Sequence, residues 1–153
     1  MFKLVAVLLA PLMAFAIDLP SKKYLDLAAV KTMVAASKAK AKELNVSVSI
    51  CIVDEGGNLL FLEKGDTASL NTLQFAQKKA RDAAAYGAPS REAAESIKKG
   101  NVEDLAFPNF FPNQGGLPIR VDGQLLGGIS ASGAKSEIDE QIAQAGLDAL
   151  LKN

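Results

Sequence analysis

Histidine is missing from this 153-residue chain, tryptophan is missing with it, and cysteine occurs once, at Cys51. Without His, the usual Ser-His and Cys-His catalytic arrangements are excluded, and so is the commonest metal ligand. A single Cys excludes an intramolecular disulfide, so an exported form would be held by its core and its partners. Neither charge is in excess, with 17 basic and 17 acidic residues. The chain therefore has no basic field to draw nucleic acid and no polybasic segment to hold an anionic membrane.

The chain carries an address at its start. Lys3 is a positive n-region, Leu4 to Leu12 an apolar run, and Ala14-Phe15-Ala16 a small-x-small cleavage pattern. Residues 1–16 are thus expected to be a signal peptide, too short for a stable membrane span and followed by no stop-transfer pattern. Cleavage leaves a single domain over 17–153, directed to the periplasm or secreted, with 16 basic against 17 acidic residues.

Periodicity sets out the elements. Asp26 caps a helix to about Leu44, with Leu27, Val30, Val34, Ala41 and Leu44 on one face. Val46 to Asp54 alternates as a half-buried strand with Cys51 on its serine face, and Glu55-Gly56-Gly57-Asn58 turns it into Leu59 to Glu63. A helix from Ser69 to Tyr86 has a narrow alanine face, while Phe75 and Tyr86 lie on the far side and call for a second neighbour. Gly87 stops it, and Ser90 caps a shorter helix to about Lys99. Leu117 to Val121 and Gln124 to Ala131 form a second hairpin about Asp122-Gly123, whose residues supply positive φ. Gly127-Gly128 in its second strand marks a bulge or the close approach of another backbone or a ligand. The last helix begins near Ser136, with Asp139 in a capping-box position and apolar residues on more than one face. The order α-ββ-α-α-ββ-α predicts an α+β fold, an antiparallel sheet from two hairpins with helices on its faces.

Leu105 to Ile119 contains no charged residue, although it holds Phe107, Phe110 and Phe111. Pro108, Pro112 and Pro118 keep it from forming a helix or a central strand. Such a loop covers a core, contacts a subunit or lines a pocket. Gly115-Gly116 leads into a strand and lacks the Gly-Lys-Ser/Thr of a phosphate loop, but its N–H groups with Arg120 nearby offer a place for an anion. Asp54 and Asp122 are explained by their turns. Lys78, Lys79 and Arg81 read as a solvated helix face, with Arg81 also suited to a ligand carboxylate.

Taken as a set, Val53-Asp54, Gly56-Gly57, Lys79-Ala80-Arg81, Ala83-Ala84, Gly115-Gly116-Leu117-Pro118-Ile119, Val121-Asp122-Gly123, Gly127, Ser132-Gly133, Asp139 and Ala145-Gly146-Leu147 resemble one family. It is the GlcG/HbpS-like, haem-degrading family, related to the C-terminal domain of PduO-type proteins. The resemblance implies a profilin-like α+β fold, homo-oligomers, and haem or another tetrapyrrole as ligand in some members. For this chain it leads to an exported, oligomeric small-ligand-binding protein. The candidate ligand-binding residues are Arg81, Phe107, Phe110, Phe111, Gly115, Gly116 and Arg120. No catalytic residue and no metal ligand is assigned. If iron is ligated, Met33, Cys51, Tyr24 or Tyr86 would have to supply the atom. The alternatives are an enzyme acting on a small carboxylate metabolite, and an assembly or sensor-partner protein with no ligand of its own.

Overall fold

Two strands that can pair on both edges form the centre. In the computed structural model, which describes residues 17–152, β1 (Ser49–Asp54) lies between β2 (Leu59–Lys64) and β4 (Gln124–Ser132), and β3 (Gly116–Val121) closes the far edge. All pairings are antiparallel, so the two hairpins join through β1 and β4, with Cys51 opposite Ser130 and Ile52 opposite Ile129. Asp122 (φ 50°) and Gly123 (φ 78°) make the second turn as their residue types predict. Pro118 is tolerated because β3 is an edge strand. The export signal read at residues 1–16 lies outside the described residues.

Both faces of the sheet are covered, so β1 is buried from Ser49 to Val53 and not half-buried as its alternation suggested. One face meets α1 (Leu27–Glu43) and α4 (Ser136–Leu151), where Met33, Ile52, Ile129, Ile142 and Ala143 are sealed from solvent. Each large aliphatic side chain buried there contributes roughly 1.5–3 kcal/mol. The Asp26 carboxylate accepts the Ala29 N–H at 2.7 Å and starts α1. Leu27, placed on the apolar face by periodicity, is exposed, and Met33 takes the centre of the contact. The two-sided character of α4 is satisfied within the chain, because α4 packs on the sheet and on α1 together. A Cβ at Gly146 would stand 2.5 Å from Ser37 Oγ and 2.9 Å from the Met33 carbonyl oxygen of α1.

The other face carries α2 (Thr72–Tyr86), which lays Ala76, Ala80 and Ala84 on Cys51 and Val53. Burial pushes the Cys51 thiol up to about 12, so it is an inert core residue. The alanine face lets backbone meet backbone. At Gly127 a Cβ would lie 2.0 Å from the Val53 carbonyl oxygen, and at Gly128 2.2 Å from that of Ala80. Both expectations for this Gly pair hold: backbone approaches closely at each, and the register irregularity of the hairpin leaves Leu126 as the extra residue beside Gly127, opposite the Ile119–Arg120 step. Gly87, at φ 61°, ends α2 in the left-handed conformation. In α3 (Ser90–Lys98) the capping position belongs to Pro89, and the Ser90 hydroxyl has a different task described below. A 3-10 turn (Val102–Ala106) then leads into the Phe loop. No described helix is long and apolar enough to cross a membrane.

Candidate functional site

The outer face of α2 organises the site. Phe75, Lys78, Asp82 and Tyr86 recur at three- and four-residue spacing and form one stripe facing away from the sheet. The Phe loop is the second neighbour that this stripe calls for. Phe111 sits against Phe75 with ring centroids 5.7 Å apart, and Phe110 meets Tyr86 edge-on at 6.1 Å. Lys78 Nζ lies 5.4 Å above the Phe111 ring, a cation–π geometry.

Polar bonds fix this loop at defined points. The Phe111 N–H donates to Asp82 Oδ1 at 2.9 Å, and the Tyr86 hydroxyl donates to the Pro108 carbonyl at 2.7 Å. Ser90 is a relay: its hydroxyl donates to the Asn113 carbonyl at 2.8 Å and accepts the Gly116 N–H at 2.9 Å. Asp82 is buried, and its desolvation pushes the carboxyl up to about 6, against the lowering effect of the Phe111 N–H. Burial, followed by the charges of Asp82 and Asp104, raises the Tyr86 phenol, so it stays protonated at neutral pH.

Lys78, Arg81, Asn109, Phe110 and Phe111 enclose an open recess of about 310 Å³. Its walls are two aromatic side chains, an amide and two cations. Arg81 is steadied by donation from Nε to the Gly57 carbonyl at 3.1 Å. Of the residues expected from sequence, Arg81, Phe110 and Phe111 therefore meet in one place. Phe107 is more than half exposed, beyond this lining. Gly115 and Gly116 are buried under α2, where a Cβ at Gly116 would stand 2.2 Å from the Lys79 carbonyl oxygen. Arg120 reaches the carbonyls of Gly87 (3.1 Å) and Gly123 (3.3 Å), tying the end of α2 to the β3–β4 turn.

Lys79 departs from the solvated face expected of it. It is 2% exposed, with Nζ 2.9 Å from Asp139 Oδ2 and 3.3 Å from the Ala131 carbonyl oxygen. Asp139 does not close a capping box, since its second oxygen accepts the Ala134 N–H at 2.9 Å. The signal was present in the sequence: Ala76, Lys79, Ala80 and Ala83 share one helical stripe, which points Lys79 inward. Lys78, Asp82 and Ser90 were missed for another reason, because their roles come from a loop distant along the chain.

Among the iron-ligand candidates, Met33 and Cys51 are fully buried in the core, Tyr24 is largely exposed, and Tyr86 alone stands beside the Phe loop. No group of three or more metal-binding side chains occurs among the described residues.

Comparison with known proteins is consistent with this architecture. The family model for the haem-degrading protein HbpS-like family matches residues 25–148. A 15.0 kDa uncharacterised protein from the dhaT-dhaS intergenic region of Citrobacter freundii is 32% identical over 128 residues, covering 81% of this chain and 90% of its own. A crystal structure of a double mutant of Streptomyces reticuli HbpS superposes with a TM-score of 0.80 at 30% identity, covering 92% of this chain and 97% of that one. The crystal structure of a PduOC–haem complex superposes with a TM-score of 0.77 at 27% identity, covering 83% and 95%. With most of its length matched by the family model, and with this sheet order and helix placement, the chain belongs to the HbpS-like haem-degrading protein family.

Proposed function

We propose that this protein binds haem or a related tetrapyrrole, with the recess beside the Phe loop taking the carboxylate edge of the macrocycle. The observation that carries the reading is the pairing of two cations, Lys78 and Arg81, with the aromatic faces of Phe110 and Phe111 in one recess. A porphyrin presents the complementary combination, a flat apolar ring with two propionates. The haem-bound PduOC structure, of the same fold, supports it. The residues fit the carboxylates and the ring edge. They do not supply a ready iron ligand, because Tyr86 is held protonated and donates to Pro108.

Affinity should then come from the porphyrin and not from its metal. In an absorbance titration, iron-free protoporphyrin is expected to bind within about tenfold of haem, or 1.4 kcal/mol. Lys78→Glu should weaken both about tenfold or more, since it replaces a cation facing the propionates by an anion. Haem binding with no porphyrin binding would move the affinity to iron and make Tyr86→Phe the decisive variant. Binding of neither would remove the recess reading.

The proposal extends to an exported, oligomeric protein, supported by the N-terminal pattern at residues 1–16 and by exposed Leu59 and Leu60 on the edge strand β2. A native mass spectrum of protein from the extracytoplasmic fraction should show multimers of a chain beginning at Ile17. A monomer retaining Met1, recovered from the cytoplasm, would overturn this part.

A further inference from the structure

We propose that a second recess, separate from the one beside Lys78, binds the carboxylate of a small organic acid. It measures about 290 Å³ and lies over the ion pair of Lys79 and Asp139, with Asn71, Asn113, Ser132 and Ser136 around it. Phe75 lines this recess and Phe111 the other, so the contact between those rings lies between the two sites.

The strand period places Ser132 here. In β4, Gly128 approaches Ala80 of α2 and the Ser130 hydroxyl donates to the Ala76 carbonyl, so Ser132 points to the same side. Ser130 and Ser49 spend their hydroxyls on α2, the latter against Thr72 Oγ1 at 2.7 Å. Ser132 is different. It is 3% exposed, lines the recess, and its hydroxyl makes no hydrogen bond to another described residue. Its oxygen is still reached through the recess, so water or a ligand there supplies the missing bond.

The surrounding groups decide the sign of that ligand. Asp139 is already engaged at both oxygens, by Lys79 and by the Ala134 N–H. Lys79 directs two contacts, to Asp139 and to the Ala131 carbonyl, and an ammonium has three protons. The sixteen-residue α4 begins at the rim with no side-chain cap, which leaves first-turn N–H groups and the positive end of its dipole. Lys79 and the helix end offer donors only, and the amides of Asn71 and Asn113 and the Ser132 hydroxyl can each turn a donor to the same ligand. With the Lys79–Asp139 pair neutral in sum, exposed Lys135 and Glu137 offsetting each other at the start of α4, and the helix end adding a fraction of a positive charge, a singly charged carboxylate is the better match than a doubly charged phosphate.

The test is an amide NMR titration of the full mature chain with acetate, pyruvate, inorganic phosphate and chloride at matched ionic strength. Acetate or pyruvate should shift the amides of Gly133, Ser136 and Glu137 saturably, with Kd on the order of 1–10 mM. Ser132→Ala removes a hydroxyl with no internal partner, so the fold should persist while the affinity falls about tenfold. The same variant should leave porphyrin binding unchanged, which separates this site from the one proposed above. Three results would overturn the inference: no saturable shift by either carboxylate, equal shifts with chloride, or unaltered affinity in Ser132→Ala. A response to phosphate without a response to carboxylates would overturn the ligand class.

Discussion

Asp139→Ala is expected to lower folding stability by about 3–5 kcal/mol, the usual consequence of leaving a buried charge unpaired. Its partner Lys79 is 2% exposed and cannot swing into water without leaving the layer between α2 and β4. The carboxylate also holds the Ala134 N–H, so the substitution removes the anchor of the turn that enters α4 as well. In urea unfolding followed by far-UV circular dichroism, the midpoint should fall with little change in slope. For a domain of this size the matching drop in Tm is roughly 10–20 °C. The double replacement Lys79→Met with Asp139→Leu should recover most of the loss, since a well-packed apolar pair often equals a buried ion pair. If Asp139→Ala changes stability by less than about 1 kcal/mol, the pair is not buried as described.

Gly128→Ala should be nearly as damaging, for a steric reason. The added carbon would lie 2.2 Å from the Ala80 carbonyl oxygen and 3.1 Å from the Ala84 nitrogen, both backbone atoms of α2. No rotamer relieves a contact with backbone, so the helix must lift from the sheet. Overpacking costs about 1–3 kcal/mol where side chains can yield, and a helix displaced along the Ala76–Ala84 seam should exceed the upper end. Gly123→Asn is the matched control. Its site has φ 78° and nothing within 4 Å, and Asn tolerates that conformation in a turn. The control should stay within about 0.5 kcal/mol of the parent. A Gly128→Ala protein as stable as the control would mean that α2 does not rest on β4 at this distance.

Local rules read the elements well because each depends on neighbours in sequence. Asp26 before an apolar period, Gly87 after one, and Asp122-Gly123 between alternating strands carry their conformations in their own chemistry. The two hairpins, the single antiparallel sheet and the α+β class followed from those signals. The motif set that resembles the family was equally legible, because it is carried by short local runs such as Gly115-Gly116-Leu117-Pro118-Ile119 and Val121-Asp122-Gly123. What the glycines approach was not legible: Gly116 meets Lys79, Gly127 meets Val53, and Gly128 meets Ala80.

The pairings between distant segments belong to the tertiary structure alone. A helix stripe of Phe75, Lys78, Asp82 and Tyr86 announces that something covers it, and three Phe in an uncharged loop announce that they cover something. Only the folded chain shows that each answers the other, with the N–H of Phe111 on the carboxylate of Asp82. Lys79 is the sharper case, since a charge beside Lys78 and Arg81 reads as solvated until a carboxylate sixty residues away is brought to 2.9 Å. By itself the sequence determined which segments curl, extend and turn, since those choices are made by backbone sterics and short-range period. The sheet order, the partner of each buried charge and the joining of Phe loop to helix were decided only in three dimensions. They depend on contacts whose energy exists only when chain segments far apart in sequence exclude water together.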